Sequence, residues 1–491
     1  MKSSFNQLGK NSVIYGLGSS LNRFVSFLLL PLFTRYLTPH DYGVMSILGL
    51  VTLVMAPVFS LGLTAATAPY YFDTKIENVK AKTIWTAVVM IGINTIILGL
   101  LSFSLSNEIS VIAFKTKIYQ GLVVLTIGSI SINCITNLFN QYLQFEQRAK
   151  QFVMISTVSL IVTSALNIIA VVVLGWGIKG LLQTQLIGQI LSLCLFTVSV
   201  ARNLKFTFSK DLAKRMLRIG IPLVPSFAFF FVLQDANRYL LEHWKGLVAV
   251  GIYSIGYNFG MVIRTAINAF EQSWLPFFMQ YKEKQEEARI FFGKLSTYYV
   301  LGFGALSLMF YIFAKPAVML MTQPAFYDGY KIVGLSSTAA FLSGIFILLV
   351  PGFYFTKQVQ YVTLVQAIAA ACALLFNYLL IPKMGMFGAG LALTLGMFSL
   401  VCVTYFWSLF RKGYLKVVYE WDRLLIFFSF YILTCSAMLI DRKFAITGEI
   451  ILSIIAFTAL ILCMFFIMNR QEKRAVSTRI RLVFNMVGIA R

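Results

Sequence analysis

Residues 448–468 read GEIILSIIAFTALILCMFFIM, with Glu449 near the start and no other charge. A helix of about twenty apolar residues rises far enough to cross a hydrocarbon core of roughly 30 Å. Wrapped as a helix, the run satisfies every peptide group internally, as a bilayer interior demands. Outward from it the pattern repeats along the whole chain. Working back, helices are predicted over 424–440, 387–410, 361–381, 331–355, 293–321, 247–277 and 217–241, then over 180–200, 152–174, 118–145, 83–106, 44–68 and 11–34. The fold expected is all-α and polytopic, with about fourteen transmembrane helices and no gap long enough for an extramembrane domain. Composition agrees: 59% of the 491 residues are hydrophobic and 12% charged, against about 25% charged in soluble domains. A membrane barrel would show short alternating segments instead.

The net charge of +23 invites a nucleic-acid reading, but position decides against it. Sorted by alternate gaps between the apolar runs, 28 of the 41 Lys and Arg residues fall in one set and nine in the other. That asymmetry is the positive-inside pattern, which places both termini in the cytoplasm and excludes nucleic acid as a partner. The first apolar run is as long as a span and lacks a small-residue cleavage site, so it is expected to stay as the first helix. The six cysteines lie inside apolar runs with no CxxC spacing. Neither a disulfide framework nor a metal site is expected, and no cofactor.

The chain repeats itself. Gly43-Val44-Met45-Ser46-Ile47 matches Gly251-Ile252-Tyr253-Ser254-Ile255 at an offset of 208, and Gly177-Ile178-Lys179-Gly180 matches Gly385-Met386-Phe387-Gly388 at the same offset. Pro69-Tyr70-Tyr71-Phe72, Gln151-Phe152-Val153 and Asn167 find partners at Pro276, Gln360 and Asn377, at offsets between 207 and 210. A duplication of six spans follows. An even number of spans makes the repeats parallel, with a substrate site expected at their interface. The expected organisation is a six-helix lobe over 1–210, a second over 211–418, and two further helices with a basic tail over 419–491.

Ionisable groups inside spans cost about 2.5–3.5 kcal/mol each on insertion scales, so they mark partners or pathways. Arg23 lies near the middle of the first helix with no acid in its own span. In the eighth helix Tyr257, Arg264, Asn268 and Glu271 are spaced as a single stripe. The seventh carries Asp235 and Arg238 at i, i+3. Two readings stay open for these charges: internal ion pairs that fix packing, with Asp235 and Glu271 as partners, or arginines presented to an anionic ligand, which a planar guanidinium holds with two parallel bonds. Lys315 precedes Pro316 and is expected to snorkel to the outer interface. Asn133, Asn137, Asn140, Gln141 and Gln144 on the fourth helix suit either a pathway or interhelical bonding.

The stretch Leu30-Pro31-Leu32-Phe33-Thr34-Arg35-Tyr36-Leu37-Thr38-Pro39-His40-Asp41-Tyr42-Gly43, together with Asp235-Ala236-Asn237-Arg238-Tyr239-Leu240 and Gly251-Ile252-Tyr253-Ser254, resembles the signatures of polysaccharide (O-antigen, Wzx-type) flippases. These share a superfamily with multidrug and toxin extrusion transporters and lipid II flippases. The resemblance implies a MATE-like fold of two lobes around a cation-lined cavity, working by alternating access in the inner membrane. It implies an undecaprenyl-pyrophosphate oligosaccharide as cargo, with its pyrophosphate held by Arg23 and Arg264. Asn268 and Arg238, in the helices that carry these charges, are added as substrate-binding candidates, and Asp235 and Glu271 as coupling or ion-pair acids. The last two helices would accommodate the polyprenyl tail. A polysaccharide polymerase and a chain-length regulator are the protein partners such a flippase would have.

Two rivals remain. A cation-coupled multidrug exporter of the same fold needs membrane-embedded carboxylates, and the amino-terminal half has none inside a predicted span. A membrane-embedded polymerase or glycosyltransferase needs an acidic catalytic cluster and a large substrate loop; neither is present. With no P-loop pattern either, the chain reads as a transporter rather than an enzyme.

Overall fold

Thr38 opens a fully capped helix start. Its hydroxyl accepts from the Asp41 amide while the Asp41 carboxylate accepts from the Thr38 amide at 2.9 Å, a reciprocal cap that satisfies two donors a helix start would otherwise leave open. Pro39 follows at the first helical turn, where its missing N–H costs nothing. In this computed structural model the described residues are 25, 27–72, 77–146, 148–201, 204, 206–224, 226–281, 283–356, 358, 360–411, 414–439, 446–469 and 472–473. Among them all regular structure is helical.

Helix α1 covers Phe27–Tyr36. Then come α2 (Pro39–Phe59), α3 (Leu63–Phe72), α4 (Glu77–Ser104), α5 (Ser106–Phe114), α6 (Gln120–Phe145), α7 (Ala149–Ile168, continued by a π turn over Ile169–Val173) and α8 (Gly177–Ala201). The second half gives α9 (Lys210–Leu223), α10 (Ser226–Gln234), α11 (Ala236–Gly260), α12 (Ile263–Met279), α13 (Gln285–Ile312), α14 (Ala314–Met321), α15 (Tyr330–Leu349), α16 (Pro351–Phe355) and α17 (Gln360–Phe410). The chain continues with α18 (Trp421–Leu439) and α19 (Ile446–Ile467). Among the described residues ten helices are long and apolar enough to cross a membrane, or eleven if the bent pair α11 and α12 counts as one. The chain is a multi-pass membrane protein.

The expected spans and the observed helices differ mainly in continuity. The run 44–68 is two helices, parted at Ser60–Gly62. The run 217–241 is assembled from α9, α10 and the first part of α11, with Gly246 (φ 79°) interrupting α11. The runs 361–381 and 387–410 are the two helices of α17, which meet at a kink where Gly385 is non-helical. That glycine has φ 57°, and its repeat partner Gly177 has φ 55°. Both sit in the left-handed region, where an L side chain is strained and glycine is not. The two glycines, 208 positions apart, thus share a positive φ as well as a place in the repeated pattern.

The chain folds as two compact units. The first takes Met1–Ile255, Met321–Phe326 and Gln366–Gly396. Its core gathers Tyr71, Ile84, Phe139, Tyr142, Leu143, Ile155, Phe196 and Val200 where α3, α4, α6, α7 and α8 meet. The second takes Gly256–Leu320, Tyr327–Val365 and Met397–Arg491. Its core is built on Trp274, Phe278, Phe292, Tyr299, Phe341, Phe427 and Tyr431, so α18 is packed among α12, α13 and α15. A Cβ on Gly304 of α13 would strike the Phe427 ring of α18. The Tyr431 hydroxyl lies 2.8 Å from Ser307 and 2.7 Å from Thr338. The two helices left outside the duplication thus pack against the core of the second unit, each through one face.

Candidate functional site

The second unit holds the clearest polar site. On α12, Ile263, Ile267, Trp274 and Phe278 are all buried and recur at helical spacing, giving the helix one core-facing side. Arg264, Asn268 and Glu271 share the neighbouring stripe. The Arg264 guanidinium donates through Nη1 to the Ser343 hydroxyl of α15 and lies 3.7 Å from Glu271 through Nη2. Ser343 is buried, and its own proton goes back to the Ala340 carbonyl at 2.6 Å. Its oxygen is therefore fixed as an acceptor toward Arg264. The Glu271 side chain is 44% exposed and that of Arg264 22%. The pair is long and half-open, so the arginine is steered rather than neutralised for good.

The expected four-residue stripe needs one correction. Gly260 ends α11 and Ile263 begins α12, with a 51° bend between them. Tyr257 therefore lies on the far side of the bend, and only Arg264, Asn268 and Glu271 share a straight helix. Asn268 is half-buried. An aromatic file runs beside the stripe: Phe270 stacks on Trp274 with centroids 5.7 Å apart and meets Tyr299 at 5.2 Å, which stacks on Phe303 at 4.6 Å.

In the first unit, Asp235 sits at the turn between α10 and α11, and its carboxylate lies 3.4 Å from the Arg238 guanidinium. Both side chains are largely buried, at 14% and 12% exposure. Next to them the buried Asn237 donates to the Tyr253 hydroxyl at 2.5 Å. The expected acid–base pair is present, placed at a helix break rather than along a helix. Arg23 lies outside the described residues. Of the α6 amides, Gln141 donates to the Thr64 carbonyl of α3 and Asn137 to Asn133, so the stripe bonds within its own unit. Among the described residues there is no group of three or more His, Cys, Asp or Glu that could hold a metal ion.

One charge pair was missed from the sequence. Lys315 of α14 lies 2.7 Å from Glu449 of α19, with side-chain exposures of 17% and 7%. Its ammonium also stands over the Tyr330 ring at 5.5 Å. Snorkelling to an interface is therefore the wrong reading for Lys315: it finds a carboxylate 134 positions away. The only local signal was an acid at the very start of an otherwise uncharged run.

Comparison with known proteins adds the following. A family model described as "Polysaccharide biosynthesis protein" matches residues 8–282. An Lsg locus protein of Haemophilus influenzae is 24% identical over 280 residues, which are 55% of this chain and 66% of that protein. The capsular polysaccharide biosynthesis protein CapF of Staphylococcus aureus is 27% identical over 218 residues, 42% of this chain and 53% of CapF. The chain thus spans between half and two thirds of these relatives. Among solved structures, the lipid II flippase MurJ in an inward closed conformation superposes with a TM-score of 0.67 at 13% identity, covering 92% of this chain and 99% of MurJ. An inward-facing multidrug resistance MATE family transporter gives 0.64 at 14% identity, covering 81% and 93%. The fold is that of the MATE and MurJ transporters.

Proposed function

Since the chain belongs to the polysaccharide biosynthesis protein family, we propose that it is a flippase carrying an undecaprenyl-pyrophosphate-linked oligosaccharide across the inner membrane by alternating access. Capsule, O-antigen and exopolysaccharide repeat units are the cargo class. The observation that carries the reading is Arg264, held from one side by Ser343 and only loosely by a half-exposed Glu271. A diphosphate can take the place of that carboxylate on the guanidinium and gain two charge-assisted bonds. Asn268 on the same stripe would bond sugar hydroxyls, and Arg238 and Arg23 are the further cationic residues proposed for the cargo. The repeats over 1–210 and 211–418 are the two bodies that rock, and 419–491 completes the second of them. A polysaccharide polymerase and a chain-length regulator are the proposed protein partners.

The test is reconstitution. Proteoliposomes with the protein should equilibrate a fluorescent undecaprenyl-pyrophosphate oligosaccharide between leaflets, and empty vesicles should not. The MATE likeness keeps a second reading in view, a cation-coupled multidrug exporter. Export of cationic dyes with no flipping would establish that reading instead.

The proposed orientation, with both termini cytoplasmic, makes its own prediction. Single cysteines at 118 and 325, both exposed positions, should react with an impermeant maleimide added to intact cells. Cysteines at 208 and 285 should react only after lysis. Labelling of 285 from outside would overturn the orientation and the lobe arrangement built on it.

A further inference from the structure

The duplication brings its own equivalent residues into contact. A Cβ on Gly43 of α2 would strike the carbonyl oxygen of Leu247, and a Cβ on Gly251 of α11 would strike that of Pro39. Gly43 and Gly251 are 208 positions apart, and so are Pro39 and Leu247. One turn further on, Ser46 and Ser254, again 208 apart, meet with their hydroxyl oxygens 2.8 Å apart, both buried. Ser254 is also 2.7 Å from the Val250 carbonyl. Its single proton serves one of the two, and Ser46 can supply the other bond. The contact is self-complementary: each helix offers the same patch to the other, as across a two-fold axis. Bare glycine lets the backbones touch, as small residues do between membrane helices.

The surroundings are of the same reversible kind. Lys115 reaches Glu242 at 3.9 Å and donates to the His243 carbonyl at 3.1 Å, and its side chain is 49% exposed. The Tyr239 hydroxyl donates to the Ile112 carbonyl at 3.3 Å, and Tyr119 bonds His40 at 3.1 Å. Tyr42 meets Phe326 edge-on at 5.3 Å. Two flat glycine faces joined by one hydroxyl pair can part without pulling interlocked side chains past one another. Equivalent residues on a pseudo-two-fold also separate equally when two parallel repeats rock. These ends lie on the non-cytoplasmic side in the orientation proposed above.

From this geometry we infer that the Gly43–Gly251 and Ser46–Ser254 crossing is the outer gate of the transport path, closed in this structure. It rests on the transporter reading and does not depend on which cargo is carried. In a variant with all six native cysteines replaced, Ser46→Cys/Ser254→Cys should form a disulfide in membranes under mild oxidation. Transport should fall at least tenfold on oxidation and return on reduction. An oxidised protein that transports at the reduced rate overturns the gate, and so does failure of the pair to cross-link. If oligosaccharide flipping is absent but dye export is blocked by oxidation and restored by reduction, the gate stands and the cargo reading falls. A second variant guards against misfolding: Gly251→Val should prop the crossing apart and raise outside labelling of Ser46→Cys severalfold. Unchanged labelling in a protein that accumulates normally overturns the proposal.

Discussion

Arg264→Ala is expected to reduce oligosaccharide flipping by a factor of about 100 or more while the protein accumulates at its normal level, since each hydrogen bond to a charged group is worth about 1.5–3 kcal/mol and two are lost. The accumulation half of the prediction follows from the exposures. Breaking a truly buried ion pair costs about 3–5 kcal/mol because the partner charge is stranded. Glu271, however, is 44% exposed and 3.7 Å from the guanidinium, so water can solvate it once Arg264 is gone; pairs of that kind contribute about 0–1 kcal/mol. Arg264→Lys should recover part of the activity, since it keeps the charge and loses the fork. Flipping in proteoliposomes and detergent-extracted protein levels measure the two halves. The decisive variant is Arg264→Ala/Glu271→Ala. Normal levels with full flipping would show the pair to be packing only and would end the diphosphate role.

The membrane class was legible because it rests on a sum: hydropathy over twenty residues survives local errors. The helix break inside the run 44–68 was not, because the residues at it are as apolar as their neighbours. Leu61 and Gly62 sit inside an apolar run, and only their positive φ of 53° and 64° shows that the helix has stopped. Arg264 and Glu271 could be paired from their spacing, since seven residues bring two side chains to one face. Ser343 could not, since a contact between helices 79 residues apart leaves no periodic trace. The recurring offset of 208 was readable, but an offset does not say that two segments touch. That Ser46 meets Ser254 depends on where the two-fold falls, which is a property of packing.

The Lys315–Glu449 pair should govern stability more than transport. Either Lys315→Ala or Glu449→Ala strands a charge whose side chain is at most 17% exposed, and the expected loss is about 3–5 kcal/mol. The double variant removes both charges and should regain much of the stability, because two apolar residues in place of a buried pair are often neutral or better. Thermal unfolding in detergent, followed by size-exclusion, gives the comparison. A double variant as unstable as the worse single would mean that the pair is not the source of the loss. The same wiring bears on the last two helices. Ser453 of α19 donates to the Ile312 carbonyl at 2.6 Å, and Leu424, Phe427, Tyr431, Leu460 and Ile467 belong to the core of the second unit. Deleting 421–468 would uncover that core and leave Lys315 without its carboxylate. Truncation is thus expected to prevent accumulation, and cannot by itself tell whether these helices hold the lipid tail. Enlarging exposed positions answers that question without touching the core. Ile451, Ile454, Leu462 and Phe466 are all more than half exposed on α19. If that face guides a polyprenyl chain, tryptophans there should slow flipping of the long-chain carrier while a short-chain analogue still crosses. Equal rates for the two carriers would leave α18 and α19 with the bracing role alone.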